Sequence, residues 1–198
     1  MFTGIVTDIG VVTKVADHDS RQRVFTIKTS FDEKDYIPGA SVACGGVCLT
    51  VMECGGGQFT VLASLETLSK TNLGKWGVGT RVNLEPSLRL GDTMGGHMVF
   101  GHVDGLAYLE DKRQEGESWR LKLRVPSGLS RYIVSKGSVS LDGVSLTINE
   151  VSGDRFGVNI IPYTWAHTTI ADREPGDDLN LEIDMLARYV ARISGAAE

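Results

Sequence analysis

The sequence predicts an all-β protein made of two tandem copies of one small closed antiparallel barrel, followed by a carboxy-terminal α-helix. Three observations carry that prediction. The chain of 198 residues repeats itself at a fixed offset, each copy alternates apolar and polar residues as a strand does, and one stretch near the end has a helical period instead.

The repeat decides the architecture. SVACGGVCLTVMECGGGQFTV, starting at Ser41, lies without a gap over SVSLDGVSLTINEVSGDRFGV, starting at Ser138, an offset of 97 residues. The same offset carries Gly4 and Val6 onto Gly101 and Val103, Thr67 onto Thr164, Thr71 onto Thr168, and Gly79 onto Gly176. It also carries Asn83, Leu84 and Glu85 onto Asn180, Leu181 and Glu182. One constant offset over so many positions means a duplicated domain of about 90 residues, a size that can hold its own core. The expected units are residues 1–96 and 97–182, with the boundary near Gly95, and a helical tail over 183–198.

In the first copy Val47, Leu49 and Val51 alternate with Cys48, Thr50 and Met52; in the second, Val144, Leu146 and Ile148 alternate with Ser145, Thr147 and Asn149. That is a strand with one buried face. The glycines at 55–57 and the run Ser152, Gly153, Asp154 separate strands, while Gly45-Gly46 and Asp142-Gly143 mark a bend or bulge. A short helix is expected around residues 66–73. The clearest helix comes last, where Ile183, Leu186, Val190 and Ile193 step by three, four and three, with Asp184 as a cap and Gly195 as a stop. A seam this narrow packs either back on a barrel or against copies of itself, and the oligomer is favoured.

Composition narrows the function classes. Lys+Arg 20 against Asp+Glu 25 gives a net charge of -5 with no basic cluster, so no nucleic-acid partner is expected. The apolar runs are short and MFTGIV lacks a secretory leader's basic flank, so the expectation is a cytoplasmic protein with no membrane partner. Three cysteines are too few for a disulfide scaffold, and a special one would act as a thiol.

Alternation puts Cys48 and Thr50 on one strand face, and the repeat puts Ser145 and Thr147 at the matching place in the second copy. These are either ordinary solvent-facing residues or two like binding faces, of which the copy with the thiol was given chemistry. His102 falls on Ile5, again polar against apolar, in the glycine-rich stretch GGHMVFGHVDG. A histidine there is able to move protons near neutrality. His97 and His102 are an odd number of residues apart, which on one strand points them oppositely, and Cys44 with Cys48 lacks further ligands, so no metal site is expected. No dinucleotide fingerprint, phosphate loop or serine-nucleophile elbow is present. His18 and His167 read as surface residues.

MFTGIV at the start, GxSVxxxGVCLT ending at Thr50, ETLxxTNLG from Glu66, GGHMVFGHVDG and KGSVSLDGVSLT together resemble the α-chain type of riboflavin synthase. The resemblance spans nearly the whole chain. It implies two tandem homologous six-stranded antiparallel Greek-key barrels and a carboxy-terminal helix that gathers three chains, with the active site between the first barrel of one chain and the second barrel of another. It implies an enzyme that converts two molecules of 6,7-dimethyl-8-ribityllumazine into riboflavin and 5-amino-6-(D-ribitylamino)uracil by exchange of a four-carbon unit, with no metal or redox cofactor.

By the same resemblance, Gly4, Ile5 and Val6, Cys48, Leu49 and Thr50, and Leu62, Ala63, Ser64, Leu65, Glu66 and Thr67 belong to a first substrate pocket. Gly101, His102 and Val103, Lys136, Ser145, Leu146 and Thr147, and Ile161, Pro162, Tyr163, Thr164, Trp165 and Ala166 belong to a second. Two facing pockets hold the two identical rings in opposed orientation, which turns a bimolecular encounter into a positioned one. The expected functional pair is Cys48, as a polar or nucleophilic group near C7 of the lumazine, and His102, assisting removal of a proton from the C7 methyl. Ser41, Ser145, Thr147 and Asp184 support them. Tyr163 and Trp165 stand where the family often carries Glu and Leu, and Met185 where it often has proline. The rival reading is a non-catalytic carrier of lumazine or flavin, like the lumazine proteins; a flavin-dependent reductase domain is more distant, since no nicotinamide-binding partner domain accompanies the barrels.

Overall fold

The computed structural model describes residues 1–19 and 22–195, and the side chains of His18 and Asp19 lie outside the described set. Among the described residues twelve strands make two closed barrels. The first comprises β1 Asp8–Asp19, β2 Gln22–Lys28, β3 Ser41–Cys44, β4 Val47–Gly55, β5 Gln58–Ala63 and β6 Arg81–Pro86, neighbouring in the order β1-β2-β5-β4-β3-β6. The second comprises β7 Gly105–Glu115, β8 Ser118–Arg124, β9 Ser138–Leu141, β10 Val144–Ser152, β11 Arg155–Ile160 and β12 Asp178–Ile183. Its circular order is the same, so the repeat in the sequence is a repeat in space. Every pairing within the barrels is antiparallel, and closure leaves no free sheet edge.

The alternation has the expected consequence. Val47, Leu49 and Val51 are buried in the first barrel, and Val144, Leu146 and Ile148 in the second, while Thr50, Met52 and Thr147 face out. Of the bend or bulge expected at Gly45-Gly46 and Asp142-Gly143, the structure has the bend. Both pairs are two-residue turns between β3 and β4 and between β9 and β10, not bulges, because φ is positive at all four (56°, 78°, 46° and 83°). Two successive positive φ values suit the right-handed twist of a tight hairpin. The register shifts lie further along β4 and β10, between Val51 and Glu53 and between Ile148 and Val151.

Short helices punctuate the barrels at equivalent places. α1 Leu65–Lys70 runs into a 3-10 turn Asn72–Lys75; after α2 Ser127–Ser130, α3 Pro162–His167 runs into a 3-10 turn Thr169–Asp172. The last helix, α4 Met185–Ile193, is capped by the Asp184 side chain accepting from Leu186 N, and Gly195 follows it at φ 73°. One boundary is corrected. Ile183 is not the first residue of the helical stripe but the last of β12, 2% exposed and part of the second core, since the strand pairing runs on to Ile183 opposite Val139. The rest of the stripe is uncovered, with Leu186, Val190 and Ile193 exposed to 58%, 66% and 85%. Among the described residues no helix is long and apolar enough to cross a membrane.

The two barrels meet across a local two-fold. Phe2 and Val99, themselves 97 residues apart, bridge antiparallel through Phe2 N to Val99 O (2.7 Å) and Val99 N to Phe2 O (3.1 Å), and both are buried. Asn83 Oδ1 accepts from Thr169 N (2.7 Å) and Asn180 Oδ1 from Asn72 N (2.8 Å); Asn83 Nδ2 donates to Asp142 O (2.9 Å) and Asn180 Nδ2 to Gly45 O (2.8 Å). The duplicated asparagines thus satisfy buried backbone groups of the opposite barrel. The hairpin turns touch so closely that a Cβ on Gly46 would stand 2.5 Å from Gly143 N.

Candidate active site

Two leader segments, residues 1–7 and 98–104, cross the interface and build the candidate sites. Gly101 O accepts from Cys48 N (2.9 Å) on β4, and its counterpart Gly4 O accepts from Ser145 N (2.8 Å) on β10. Both glycines take positive φ, 74° and 75°, and a Cβ on either would stand 2.6 Å from the Cβ of Cys48 or Ser145. Only glycine satisfies both demands. Each leader is tied down by a buried carboxylate from the duplicated run. Glu85 accepts from Thr3 N, Thr3 Oγ1 and Gly4 N, and Glu182 from Phe100 N and His102 N, at 2.6–2.9 Å. Burial raises the pKa of both carboxyls, and the amide hydrogen bonds offset part of that rise.

The leaders cross over, which corrects the division of pockets expected from the sequence. Gly101, His102 and Val103 sit with Cys48 and Thr67 of the first barrel, where they line one cleft of about 280 Å³ together with Glu66 and Lys70. Val103 packs on the first core and Val6 on the second, and Gly4 goes with Ser145, while Ile5 lines a separate hollow with Thr7, Glu85 and Ser87. The reason is geometric: a segment that precedes its own barrel bridges to its partner leader at Phe2 and Val99 before it reaches a strand.

Cys48 and His102 therefore face one cleft, with Cys48 half-buried and His102 exposed. Ser41 pairs with Thr50, and Ala43 with Cys48, so Ser41, Cys48 and Thr50 share a sheet face, although Ser41 lines a neighbouring hollow with Lys34 and Arg89. Leu62 and Ala63 end β5, and Ser64 caps α1 by accepting from Thr67 N (3.2 Å), which leaves Leu65 and Glu66 exposed beside the cleft.

In the second barrel Leu146 is buried, while Ser145 and Thr147 point outward. Of the segment 161–166, Ile161, Pro162, Tyr163 and Ala166 are exposed, and Thr164 and Trp165 are half-buried. The Trp165 ring is committed elsewhere: it stacks on Trp119 at 4.2 Å and 4°, with Lys112 Nζ 5.6 Å from its centroid. Tyr163 stacks on the His167 ring at 4.1 Å. Asp184 caps α4 and lines the groove between that helix and the second barrel.

Sequence reasoning missed His97. Its Nδ1 lies 2.7 Å from Ser145 Oγ, burial lowers the pKa of its half-buried ring, and nearby Asp184 partly offsets that. Its Nε2 is buried without a hydrogen-bond partner among the described residues. The serine that replaces Cys48's thiol thus has an imidazole beside it, and Ile5, not a histidine, stands where His102 stands in the first cleft. No periodic signal marks His97, because the matched positions of the repeat begin at Gly4 and Gly101.

Lys136 departs from its copy. It holds φ 66° where the first barrel has Gly39 at 88°, with each backbone N donating to the matching β-strand carbonyl, Ile148 O or Val51 O. A side chain in that region costs about 1–2 kcal/mol. Lys136→Gly is expected to raise Tm by a few degrees and to weaken ligand binding several-fold; unchanged affinity in a calorimetric titration would remove Lys136 from the site.

Comparison with known proteins agrees with the duplicated geometry. Residues 3–87 and 100–184 each match the family described as lumazine binding domain. Riboflavin synthase of Brucella abortus (strain 2308) is 47% identical over 199 residues, covering 98% of each chain, and that of Mycobacterium tuberculosis (strain ATCC 25618 / H37Rv) is 40% identical over the full length of both. The chain belongs to the riboflavin synthase family. Among solved structures, LumP complexed with riboflavin superposes with a TM-score of 0.83 at 25% identity, covering 92% of this chain and 99% of LumP. LumP complexed with 6,7-dimethyl-8-(1'-D-ribityl) lumazine gives 0.81 at the same identity and coverage. Riboflavin synthase relatives thus match the chain from end to end, including both leaders.

Proposed function

We propose that this chain is a cytoplasmic riboflavin synthase, a transferase that dismutates two molecules of 6,7-dimethyl-8-ribityllumazine to riboflavin and 5-amino-6-(D-ribitylamino)uracil. The observation that carries the reading is that Cys48 and His102 line one cleft, beside a related but chemically different arrangement at Ser145. Two like sites suit two copies of one substrate. In the working enzyme three chains gather through α4, and the first barrel of one chain faces the second barrel of the next, so that the two lumazine rings meet in opposed orientation. Positioning supplies most of the rate, as an effective concentration far above that of free reactants.

His102 takes a proton from the C7 methyl of one lumazine, giving a carbanion delocalised into the ring. Cys48 is the polar or nucleophilic group near C7. The carbanion's methylene carbon bonds to an electrophilic ring carbon of the other lumazine, and a second carbon–carbon bond closes the new ring. Elimination then breaks the donor's two carbon–nitrogen bonds, so that its four carbons stay in riboflavin and its two nitrogens leave, protonated, as 5-amino-6-(D-ribitylamino)uracil. Ser41, Thr50 and Thr67 on the Cys48 side, and Ser145, Thr147 and Lys136 on the other, hold the ribityl chain and dione edge. Asp184 acts from the start of α4. No metal or redox cofactor takes part.

Incubation of the purified chain with the ribityllumazine is expected to yield riboflavin absorbance. Stoichiometric binding without flavin would favour the carrier reading, which the likeness to LumP keeps in play. Cys48→Ser is expected to bind lumazine normally and to turn over at least about tenfold more slowly, because a hydroxyl is a poorer nucleophile at neutral pH. An unchanged rate in single-turnover measurements would take the thiol out of the mechanism.

A further inference from the structure

We infer that the two barrels select each other, in preference to copies of themselves, through two ion pairs of matched position and reversed polarity at their interface. The 3-10 turn Asn72–Lys75 packs on β12, and its counterpart Thr169–Asp172 packs on β6. At the first contact Lys75 Nζ pairs with Asp178, and at the second Arg81 Nη1 pairs with Asp172 at 2.6 Å and 2.9 Å. Under the 97-residue repeat, Lys75 is equivalent to Asp172, and Arg81 to Asp178. The first barrel thus carries positive charge at both positions and the second carries negative charge at both.

Much of the rest of the interface does not discriminate, apart from Asn72, equivalent to Thr169, whose side chain accepts from Asn180 Nδ2 (3.0 Å) and donates to Asp142 (3.4 Å). The asparagine contacts use the same residue, Asn83 or Asn180, against backbone amides and carbonyls, and the Gly46 and Gly143 turns meet backbone to backbone. All of these would be reproduced if two first barrels, or two second barrels, paired about the same two-fold. The charges would not. Two first barrels set Lys75 against Arg81 at each contact, and two second barrels set Asp172 against Asp178. Asp178's side chain is only 10% exposed, so solvent screens it less than a surface carboxylate. Specificity here comes from a penalty on the wrong partner as well as from attraction to the right one. The partner this surface fits is the unlike repeat, and the outcome is one Cys48 site and one Ser145 site in every barrel pair.

The test uses the whole chain with a protease site in the exposed turn at residues 90–91, cut after folding so that only the interface joins the halves. Native mass spectrometry after prolonged incubation then counts unlike and like barrel pairs. The parent chain is expected to give unlike pairs alone. Lys75→Asp with Asp178→Lys keeps opposite charges at every unlike contact but makes both like pairings attractive, so like pairs should rise at least about tenfold. Arg81→Asp with Asp172→Arg should do the same independently. All four substitutions together restore uniform charge on each barrel and should return the halves to unlike pairs. Exclusively unlike pairs in both two-residue variants would overturn the inference, as would a four-residue variant as mixed as they are. Failure of the two-residue variants to fold would count equally against it, since they retain every unlike attraction.

Discussion

Gly101→Ala is expected to reduce riboflavin formation by at least about a hundredfold while both barrels stay folded. The substitution asks alanine to hold φ 74°, which costs about 1–2 kcal/mol, and puts a methyl 2.6 Å from both the backbone N and the Cβ of Cys48. The leader must retreat, taking His102 away from Cys48 and breaking the Cys48 N to Gly101 O bond. A displacement of about 1 Å in a positioned reaction is worth roughly two orders of magnitude. Gly116→Ala is the control: that glycine also has positive φ, 63°, but nothing lies within 4 Å of its added Cβ. Steady-state kcat/KM and Tm measured on both variants separate the clash from the backbone strain. Equal activity in the two would mean that the Gly101 leader does not set the cleft.

A chain ending at Asp184 is expected to sediment as a monomer, to bind lumazine, and to form riboflavin at least about a hundredfold more slowly. The cut spares Ile183 and so leaves the second core whole, while it removes Leu186, Tyr189, Val190 and Ile193, large side chains that stand mostly exposed among the described residues. It also removes Arg188, whose guanidinium pairs with Asp104 and ties α4 to the second barrel. If catalysis needs two barrels from two chains, assembly and turnover fall together while single-ligand binding survives. A truncated chain that still sediments as a trimer would show that α4 is not the element joining the chains.

The barrels were legible because closure and duplication leave strong marks: one offset pairs Val47, Leu49 and Val51 with Val144, Leu146 and Ile148, and all six are buried. The interface was not legible in the same way. Asn180 and Glu182 lie in β12, where every residue is buried, so no alternation marks a face, and their partners lie in distant segments. Cys48 and His102 were readable as residue types standing out against Ser145 and Ile5. Their meeting in one cleft depends on a leader crossing to the other barrel, which no local pattern encodes. His97 was invisible for a related reason, since its role comes from a single long-range contact with Ser145.

Phe2 and Val99 face each other across the local two-fold, although they are equivalent residues of the two copies. Equivalent positions join in this reciprocal way when two identical chains share a dyad. The present arrangement is what a gene fusion would preserve from a homodimer of single barrels, with the join made between one subunit's end and the other's beginning. Such a dimer would have carried the same residue at the places now held by Cys48 and Ser145; a thiol on one side and a hydroxyl on the other require halves that mutate separately.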